Sequence, residues 1–474
     1  MSTPKRPTLT DAKGMGGLVA QHGFDYQVWD ALIRLPAWLR NPAFEGMAVE
    51  VLEDLEARFF APHAPHGHLL ERFQAKLATL ARAELVEVFE SFAAFEAAHP
   101  RSARLHTLVT PALPATLAWL ARDPDRVRRA RPFYGPFADI RRTSDERLRE
   151  DLIKEFGQGL GDFFGDSIEV GLRTLPDRAH AEAGFAAAIQ VAFPDIDVTA
   201  RKVQVAFGTL NDLVAQSRGA MLTRGRLLAV LGDTLEAQLI PDGRLRLHVR
   251  SDRNGTMPDA LEIDASAFSG AIGGYPEPER WHADLLVPLE TTARWALEHQ
   301  HQRVALSGSY RLSTAFALGY MFRSASGFEI DIPTKSESWR TDDYPSPDAA
   351  APPWTIRQPL GLVADRLVIG VGVLRDPTRD IQQNLAMADH ERVLTATLPQ
   401  ALTSGAGAQA SVQVVKAAVV QAVAWLRPAG IDLFYVGPAA FAVALGHRWN
   451  ALPPTRLHEF LVTEQRYKPT ALLA

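Results

Sequence analysis

The chain contains no cysteine among its 474 residues. Disulfides, thiolate zinc sites, iron–sulfur clusters and a cysteine nucleophile are therefore excluded. No run of 18 or more apolar residues occurs, because even AAVVQAVAWL is cut short by Arg427 and Pro428. The first residues, MSTPKRPTLTDAKGMGG, also lack the apolar segment of a secretory signal. These absences predict a soluble cytoplasmic protein with no membrane partner.

An excess of positive charge is missing too, since the formal net charge is −5. Nucleic-acid binding would therefore have to rest on a local basic patch. One such patch provides the candidate DNA-binding residues Arg126, Arg128, Arg129 and Arg131. The alternative is an arginine-rich helix end and loop that are merely exposed to solvent.

The length predicts two or three domains, because one hydrophobic core seldom extends over so many residues. Proline and glycine become dense over residues 241–288, which indicates a boundary between about residues 232 and 280. We predict one domain over residues 1–235 and a second over residues 236–474. Both are expected to be of the α/β class.

The N-terminal domain is predicted to be a small α/β core with a helical appendage. Apolar spacing indicates a helix over residues 15–40 that is interrupted at Pro36. Alternating residues indicate strands at 47–59 and 68–77, joined as a hairpin through FFAPHAPHGH. A helix over 84–97, a buried strand over 105–110 and helices throughout 144–230 complete this interpretation.

The hairpin carries a set of polar residues suited to phosphodiester hydrolysis. Glu50 and Asp54 are predicted on the first strand, and Gln74 and Lys76 on one face of the second. A carboxylate and an amide oxygen can hold Mg²⁺, while a lysine orients the attacking water and offsets negative charge. The alternative is a polar strand edge without chemistry.

The C-terminal domain has a repeated plan of strand, turn and helix. The plan occurs at residues 303–322, 366–385 and 431–446, with SGFEIDI as a further strand, and it predicts a mainly parallel sheet. Ligands of such sheets bind beyond the carboxyl ends of the strands. The first and third units both end in Ala-Leu-Gly, which hints at an internal duplication.

The residues Gln21–Gln27, the acidic first strand, the Gln-x-Lys strand and the helix after it resemble a family of nucleases. They are similar to the DUF4297-like branch of the PD-(D/E)XK restriction-endonuclease superfamily, over about residues 15–110 and onward to about 230. The resemblance implies that Asp54 and Gln74 bind Mg²⁺ or Mn²⁺ and that Lys76 is catalytic. Glu50 or Glu53 would add a carboxylate, and Gln27 with Tyr26 would brace the site, although Tyr26 equally suits a core position.

Residues 275–474 resemble the SAVED domain, on the segments LSGSYRLSTAFALGYMF and IDLFYVGPAAFAVALGHRWNALPPTRLHEFLVTEQRYKPTALLA. SAVED domains look like two fused CARF-type units, each a Rossmann-like half, and serve as sensors in CBASS anti-phage defence. The resemblance implies that a cyclic di- or trinucleotide binds, copies of the chain assemble, and the endonuclease cuts double-stranded DNA. The alternatives are an RNA-directed nuclease and a catalytically silent nucleic-acid-binding scaffold.

Candidate contacts for the cyclic oligonucleotide lie at the ends of the three strands, and Trp339 is a further candidate. The backbone and hydroxyl donors of the turns and the arginines would hold phosphate, and the aromatic rings would stack on bases. Alternatively, Arg375 and Asp376 pair with each other and Trp339 packs in a loop. The candidates are Ser307, Gly308, Ser309, Tyr310, Arg311, Trp339, Leu374, Arg375, Asp376, Gly437, Pro438 and Ala439.

Overall fold

The structure is a computed structural model that describes residues 12–50, 54–64, 66–130, 139–240, 243–251, 260–270, 274–335, 337–345, 352–385 and 390–474. The chain divides into two units, Met1–Pro241 and Asp242–Ala474. The predicted division between residues 235 and 236 falls just before this point. Each unit has its own sheets and hydrophobic core.

The N-terminal unit combines helices with one sheet. Threonine or aspartate side chains cap several of its helices by accepting a backbone N–H, as Asp177 does from His180 at 3.0 Å. The helices are α1 Ala12–Arg40, α2 Arg82–Ala98, α3 Asp123–Ala130, α4 Asp139–Phe156, α5 Gln158–Ser167, α6 Arg178–Ala192, α7 Ala200–Gln216 and α8 Arg224–Leu235, and the strands are β1 Phe44–Val49, β2 Leu55–Phe60, β3 His68–Ala75, β4 Ala103–Thr110, β5 Ile168–Leu172 and β6 Leu222–Thr223.

The sheet of this unit has the order β5-β4-β3-β2-β1-β6. Strands β1, β2 and β3 are antiparallel neighbours, and β4 and β5 continue the sheet in parallel with β3. One apolar cluster joins α1, α6, α7 and α8 to the face that carries Phe73. A second joins α2, α4 and α5 to the face that carries Leu108. The sheet is therefore covered on both faces.

Three predictions for the N-terminal unit were wrong in detail. Helix α1 continues through Pro36 to Arg40. The strand predicted over 47–59 is two antiparallel strands, β1 and β2. Strand β5 was missed within a region predicted to be helical throughout, and its parallel pairing with β4 extends the sheet.

The C-terminal unit contains the remaining elements. Its long helix α13 is capped by Ser404, whose hydroxyl accepts from Gly407 N at 3.1 Å. The elements are β7 Leu245–Arg250, β8 Leu261–Asp264, α9 Pro278–Trp281, α10 Val287–Glu298, β9 Arg303–Ser309, α11 Leu312–Met321, β10 Glu329–Pro333, β11 Ser338–Arg340, β12 Thr355–Arg357, β13 Arg366–Val373, α12 Thr378–Asn384, β14 Val393–Leu398, α13 Gly405–Leu426, β15 Gly430–Val436, α14 Ala439–His447, β16 Thr455–Leu461 and β17 Arg466–Leu473.

These strands form two sheets, of order β11-β10-β9-β7-β8 and β12-β14-β13-β15-β16-β17. The central pairs of both sheets are parallel, and the three predicted strand–turn–helix units are β9–α11, β13–α12 and β15–α14. The predicted plan is confirmed, but it is divided between two sheets. Strand β7, which lies between β8 and β9, was missed within the segment predicted as a boundary.

Helices α11 and α14 cross in close contact through two glycines. A Cβ at Gly319 would lie 2.0 Å from Val443 O, and a Cβ at Gly446 would lie 2.2 Å from Phe316 O. Gly319 thus faces the carbonyl of the residue three positions before Gly446. Gly446 likewise faces the carbonyl of the residue three positions before Gly319. These are the glycines of the two Ala-Leu-Gly segments. The two segments therefore make equivalent contacts with each other's helix.

Helix α13 flanks the second sheet of this unit. Val412, Val415 and Val419 form its buried side. In the part of the chain that the structure describes, α13 alone is long and apolar enough to cross a membrane, judged by length and composition only, and 39% of its most apolar window is buried. A core helix of a soluble protein passes the same test.

Candidate functional site

Backbone contacts at the start of β2 place the first candidate nuclease residue. Glu50 N, directly after β1, donates to Asp54 O, directly before β2, at 3.2 Å. Asp54 Oδ2 in turn accepts the backbone N–H of Ala75 at 2.8 Å. The antiparallel register ends at the pair Leu55 and Phe73, directly next to Asp54 and Gln74. The structure therefore brings Asp54 beside the Gln-x-Lys segment, which fixes the orientation of its carboxylate.

Gln74 and Lys76 lie at the carboxyl end of β3. Strand alternation puts them on the α2 face, together with Arg72, whose guanidinium lies 3.5 Å from the centre of the Phe95 ring. Lys76 N donates to Val109 O at 2.8 Å, which anchors the residue beyond the strand end. The Gln74 Oε1 atom is buried and accepts no hydrogen bond from the residues that the structure describes.

The donor set fits a hard divalent cation of the magnesium type. Mg²⁺ prefers oxygen ligands and usually takes one or two protein groups while keeping several waters. The Asp54 carboxylate and the buried Gln74 Oε1 are such groups, and a buried acceptor without a donor is costly unless something satisfies it. No group of three or more histidine and acidic side chains suited to a metal occurs in the described parts of the chain. The fit therefore rests on one carboxylate and one amide.

The sequence predicted Glu50 on a strand, but Glu50 directly follows β1 and lies outside it. Its φ of 57° is in the left-handed region, and its side chain is exposed. Arg218 Nη1 lies 3.8 Å from Glu50 Oε2, and the Arg218 guanidinium itself stacks on the Phe24 ring at 3.4 Å. The alternative carboxylate, Glu53, lies outside the described residues.

A buried polar group that the sequence did not reveal lies next to the candidate metal residues. Glu56 and Arg72 face each other across β2 and β3, and both are almost fully buried. His106 lies beside Arg72 on β4 and stacks on Phe92 at 4.9 Å. Burial and the charge of Arg72 lower the pKa of His106 to about 4. The sequence does contain a signal for Glu56, because the alternation of side chains along β2 places Glu56 on the same face of the sheet as Asp54.

Helix α1 packs on the opposite face of the sheet. Its Arg34 lies over the Phe73 ring at 4.7 Å. Tyr26 is buried, and its hydroxyl donates to Arg173 O at 2.7 Å, so this side chain belongs to the core. Burial, with a smaller contribution from Asp30, raises the pKa of Tyr26 to about 12. The bracing predicted for Tyr26 and Gln27 is therefore not visible as a contact with Gln74 or Lys76.

The candidate DNA-binding arginines lie on and after α3. Arg129 forms an ion pair with Asp125 one turn away, at 3.0 Å. Arg128 donates to the first backbone carbonyl of β5 at 2.6 Å. Arg126 is exposed, and Arg131 lies outside the described residues. Arg128 and Arg129, two of the three described arginines of this patch, thus already have partners within the chain. This agrees with the alternative of a helix end that is merely exposed to solvent.

In the C-terminal unit, the first candidate turn joins β9 to α11. Gly308 has a φ of 96°, and a Cβ there would lie 2.1 Å from Val249 O, so only glycine fits. Ser307 Oγ lies 2.9 Å from His248 Nδ1. Arg311 is exposed but donates from Nε to Ser269 O at 2.6 Å. Burial raises the pKa of the Tyr310 hydroxyl to about 12.

The N-terminus of α11 already contacts a carboxylate. Glu459 on β16 is buried, and its Oε2 accepts from Ser313 N at 2.6 Å. Burial raises the pKa of Glu459, although the hydrogen bonds from Ser313 and the charge of Arg311 act in the opposite direction. A ligand phosphate near this helix end would meet that carboxylate, so the predicted phosphate role of the turn faces an electrostatic cost.

The other two candidate turns lie side by side, because they follow the adjacent parallel strands β13 and β15. Leu374 is 64% exposed with a φ of 67°. Arg375 pairs with Asp380 and not with its neighbour, whereas Asp376 accepts from Thr378 N at 2.9 Å. Gly437–Ala439 follows β15 directly. The structure therefore brings two of the three predicted turns to one sheet edge.

Trp339 is buried and does not lie at the surface. Its side chain on β11 is only 4% exposed, and Gly405 at the start of α13 packs against its Cα. The indole Nε1 is buried and donates to no acceptor among the residues that the structure describes. Trp339 is thus a core residue in this structure, and base stacking would require the surrounding chain to move.

The family model of the SAVED domain, the "SMODS-associated and fused to various effectors sensor domain", matches residues 289–473. Over nearly the whole chain, two bacterial proteins called CD-NTase-associated protein 4 are similar. The protein from Moraxella osloensis is 22% identical over 98% of this chain and 99% of its own. The protein from Acinetobacter sp. (strain ATCC 27244 / 9458) is also 22% identical, with the same coverage.

Solved structures agree in fold. The Acinetobacter baumannii Cap4 SAVED/CARF-domain containing receptor, determined with the cyclic trinucleotide 2'3'3'-cAAA, matches with a TM-score of 0.75 and 20% identity over 95% of this chain and 98% of that one. The Moraxella osloensis receptor matches with a TM-score of 0.70 and 19% identity, over 96% of this chain and 100% of that one. These matches confirm the predicted fold class, and together with the SAVED match they confirm the resemblance to CBASS effectors of the CD-NTase-associated type.

Proposed function

We propose that this chain, a CBASS effector homologous to CD-NTase-associated protein 4, is a metal-dependent endonuclease for double-stranded DNA that a cyclic oligonucleotide activates. The hydrogen bond from Ala75 N to Asp54 Oδ2 carries the nuclease part of the proposal. It holds a carboxylate against a strand end that presents an amide oxygen and a lysine. Asp54 and the Gln74–Lys76 segment would thus form the constellation that phosphodiester hydrolysis needs.

Each residue of the site has a distinct task. Asp54 and Gln74 would hold the cation, which when bound supplies positive charge to the scissile phosphate and acidifies a water. Asp54 is preoriented by the Ala75 N–H, so little rotational freedom is lost when it binds. Lys76, two residues along the same face from Gln74, orients the attacking water and offsets negative charge that develops at phosphorus.

The C-terminal unit is proposed to be the sensor. The related Acinetobacter baumannii receptor has been determined with the cyclic trinucleotides 2'3'3'-cAAA and 3'3'3'-cAAA, and we propose a ligand of this class for the present chain. The adjacent turns after β13 and β15 offer backbone N–H groups and Arg375 to its phosphates. Binding would favour an assembled state of the cytoplasmic protein, through a higher affinity of that state for the ligand.

The nuclease proposal is tested by replacing Lys76 with alanine. We expect Lys76→Ala to lower the cleavage rate of plasmid DNA at least a hundredfold in the presence of Mg²⁺ and a cyclic trinucleotide, since general acid–base help is typically worth about 10²–10⁴-fold. Lys154→Ala, at an exposed lysine of α4, is the matched control and should cut normally. Chelation of the metal should abolish cleavage by the wild type.

The same assay distinguishes the alternative functions. Cleavage of RNA but not of DNA would replace the proposed substrate while retaining the site. Binding of DNA without cleavage by the wild type, at any metal tested, would indicate the silent scaffold. Undiminished cutting by Lys76→Ala would show that the active site lies elsewhere.

A further inference from the structure

The turn after α7 places an arginine beside the candidate nuclease site. Ala220 N donates to Ser217 O at 3.0 Å, which closes this turn. Gly219 N donates to Val49 O at 3.0 Å and so attaches the turn to the last residue of β1. Arg218 lies within the turn, and its backbone is therefore held beside the end of β1.

An aromatic ring orients the Arg218 side chain. The guanidinium lies over the Phe24 ring of α1, 3.4 Å from the ring centre, and Phe24 is buried while Arg218 is exposed. A cation over the face of an aromatic ring gains electrostatic attraction. Stacking uses the flat face of a guanidinium and leaves its N–H groups, which point outward in the plane, for other partners. The contact with Phe24 thus orients the side chain without occupying its donors.

The N–H groups of Arg218 remain available in the part of the chain that the structure describes. The guanidinium forms no hydrogen bond with the described residues, and its ion pair with Glu50 Oε2 is long, at 3.8 Å. The two side chains are 46% and 44% exposed, and such ion pairs contribute little to stability. The arginines of α3 differ in this respect, because Arg128 and Arg129 already have partners within the chain. Arg218 therefore combines a fixed position with donors that can take a further partner.

Arg218 lies at the end of the sheet that carries the candidate nuclease residues. Glu50, its ion-pair partner, donates its backbone N–H to Asp54 O at 3.2 Å. A Cβ on Gly23, which precedes the stacked phenylalanine in α1, would lie 4.0 Å from the side chain that follows Lys76. The end of β1, the start of β2 and the end of β3 meet there, because these strands are antiparallel neighbours. The arginine is therefore at the rim of the candidate site.

We propose that Arg218 binds a phosphate of the DNA backbone next to the scissile one, and this proposal rests on the proposed nuclease function. The planar fork of N–H donors matches the two non-bridging oxygens of a phosphodiester. The metal and Lys76 serve the scissile phosphate, so a cation at the rim of the same site meets a neighbouring phosphate and replaces its weak contact with Glu50. The chain has a net charge of −5, and its attraction to DNA therefore depends on local cations of this kind.

The test is the salt dependence of DNA binding by the full chain, measured by fluorescence anisotropy of a labelled duplex with Mg²⁺ and 3'3'3'-cAAA. Lys76→Ala is the background, so that bound DNA is not cut. Adding Arg218→Ala should weaken binding at low salt about tenfold, because a charge-assisted contact is lost. The slope of the logarithm of the binding constant against that of the salt concentration should become shallower by about 0.9, the value for one phosphate contact on duplex DNA.

The matched control is Arg178→Ala in the same background. Arg178 also lies over a phenylalanine ring, that of Phe207, but its Nε already donates to Glu182 Oε1 at 2.8 Å. This variant should keep both the affinity and the slope. With Lys76 intact, Arg218→Ala should raise the KM for DNA cleavage about tenfold and leave kcat nearly unchanged, since the contact is made equally in the ground state and the transition state.

Arg218→Gln separates a phosphate contact from support of the fold, because its planar amide can still cover Phe24 while the charge is gone. It should reduce the slope as Arg218→Ala does, whereas Arg218→Lys should keep the slope. An unchanged slope in Arg218→Ala and Arg218→Gln would overturn the proposal, even if the affinity fell, and a wild type that cuts DNA would then still uphold the nuclease function. If the slope is reduced but the wild type cuts no DNA with any metal tested, the phosphate contact stands and the nuclease function fails.

Discussion

At the scale of single residues, one buried imidazole makes the stability of the N-terminal unit depend on pH. His106 has a folded pKa of about 4 against an ordinary value of 6.5. Below pH 6.5 the unfolded chain therefore binds more protons than the folded chain. The stabilisation is fully present above pH 6.5 and is lost progressively as the pH falls towards 4.

We expect the free energy of unfolding to fall by about 2 kcal/mol between pH 7 and pH 5 through this residue, because each pKa unit corresponds to about 1.4 kcal/mol. His106→Phe, which suits the surrounding phenylalanine rings, should remove that part of the pH dependence. Denaturant unfolding at the two pH values measures it. His447 in the other unit, with a pKa also lowered to about 4 by burial, should still titrate in the variant. An unchanged pH slope in His106→Phe would refute this assignment.

The sequence suggests candidate nuclease residues, but it does not reveal the backbone contacts that hold their side chains. Strand alternation predicts that Gln74 and Lys76 lie on one face, because that periodicity is local. The N–H that holds Asp54 belongs to Ala75, and no side-chain pattern reveals a backbone donor. Glu459 at the start of α11 was unpredictable for a similar reason, since the two segments are 146 residues apart. Such contacts follow from topology.

At the scale of elements, the crossing of α11 and α14 gives a sharp test. Gly319→Ala would place a Cβ 2.0 Å from Val443 O, a backbone atom that cannot rotate away. The helices must separate, and overpacking of this kind typically costs about 1–3 kcal/mol. We expect a lower unfolding temperature of the C-terminal unit in a thermal scan.

The matched control is Gly225→Ala in α8, where a Cβ would meet nothing within 4 Å. There the substitution should be neutral or stabilising by about 0.5–1 kcal/mol, since alanine favours a helix. A Gly319→Ala protein as stable as the wild type would mean that the helices tolerate a wider spacing.

Elements with a strong period were predictable, and short or mixed ones were not. The strand–turn–helix units of β9, β13 and β15 stand out because buried parallel strands are apolar runs. Strand β7, LRLHVR, carries two arginines and a histidine and follows a proline- and glycine-rich segment, so it was interpreted as part of a boundary. Pro36 gave the opposite error, because it predicted an interruption where the helix in fact continues to Arg40. Tertiary packing retains the helix beyond the proline.

At the scale of the whole molecule, a substitution in the candidate nuclease site should abolish DNA cleavage without changing ligand binding. Lys76→Ala changes no residue of the C-terminal unit, so a cyclic trinucleotide should stabilise the variant as it stabilises the wild type. At a ligand concentration of 100 Kd the expected gain is about 2.7 kcal/mol. Differential scanning fluorimetry with 3'3'3'-cAAA measures this, and Arg375→Ala should need roughly ten times more ligand for the same shift, given the typical worth of a charge-assisted contact. Loss of the ligand shift in Lys76→Ala would contradict this separation.

The reciprocal glycines of α11 and α14 also bear on the ancestry of the molecule. Each glycine is confronted by main chain, and main chain cannot be replaced by mutation, so no second substitution compensates for a side chain at either position. If the two halves arose by gene duplication, the repeated Ala-Leu-Gly is the part of the likeness that this contact would preserve.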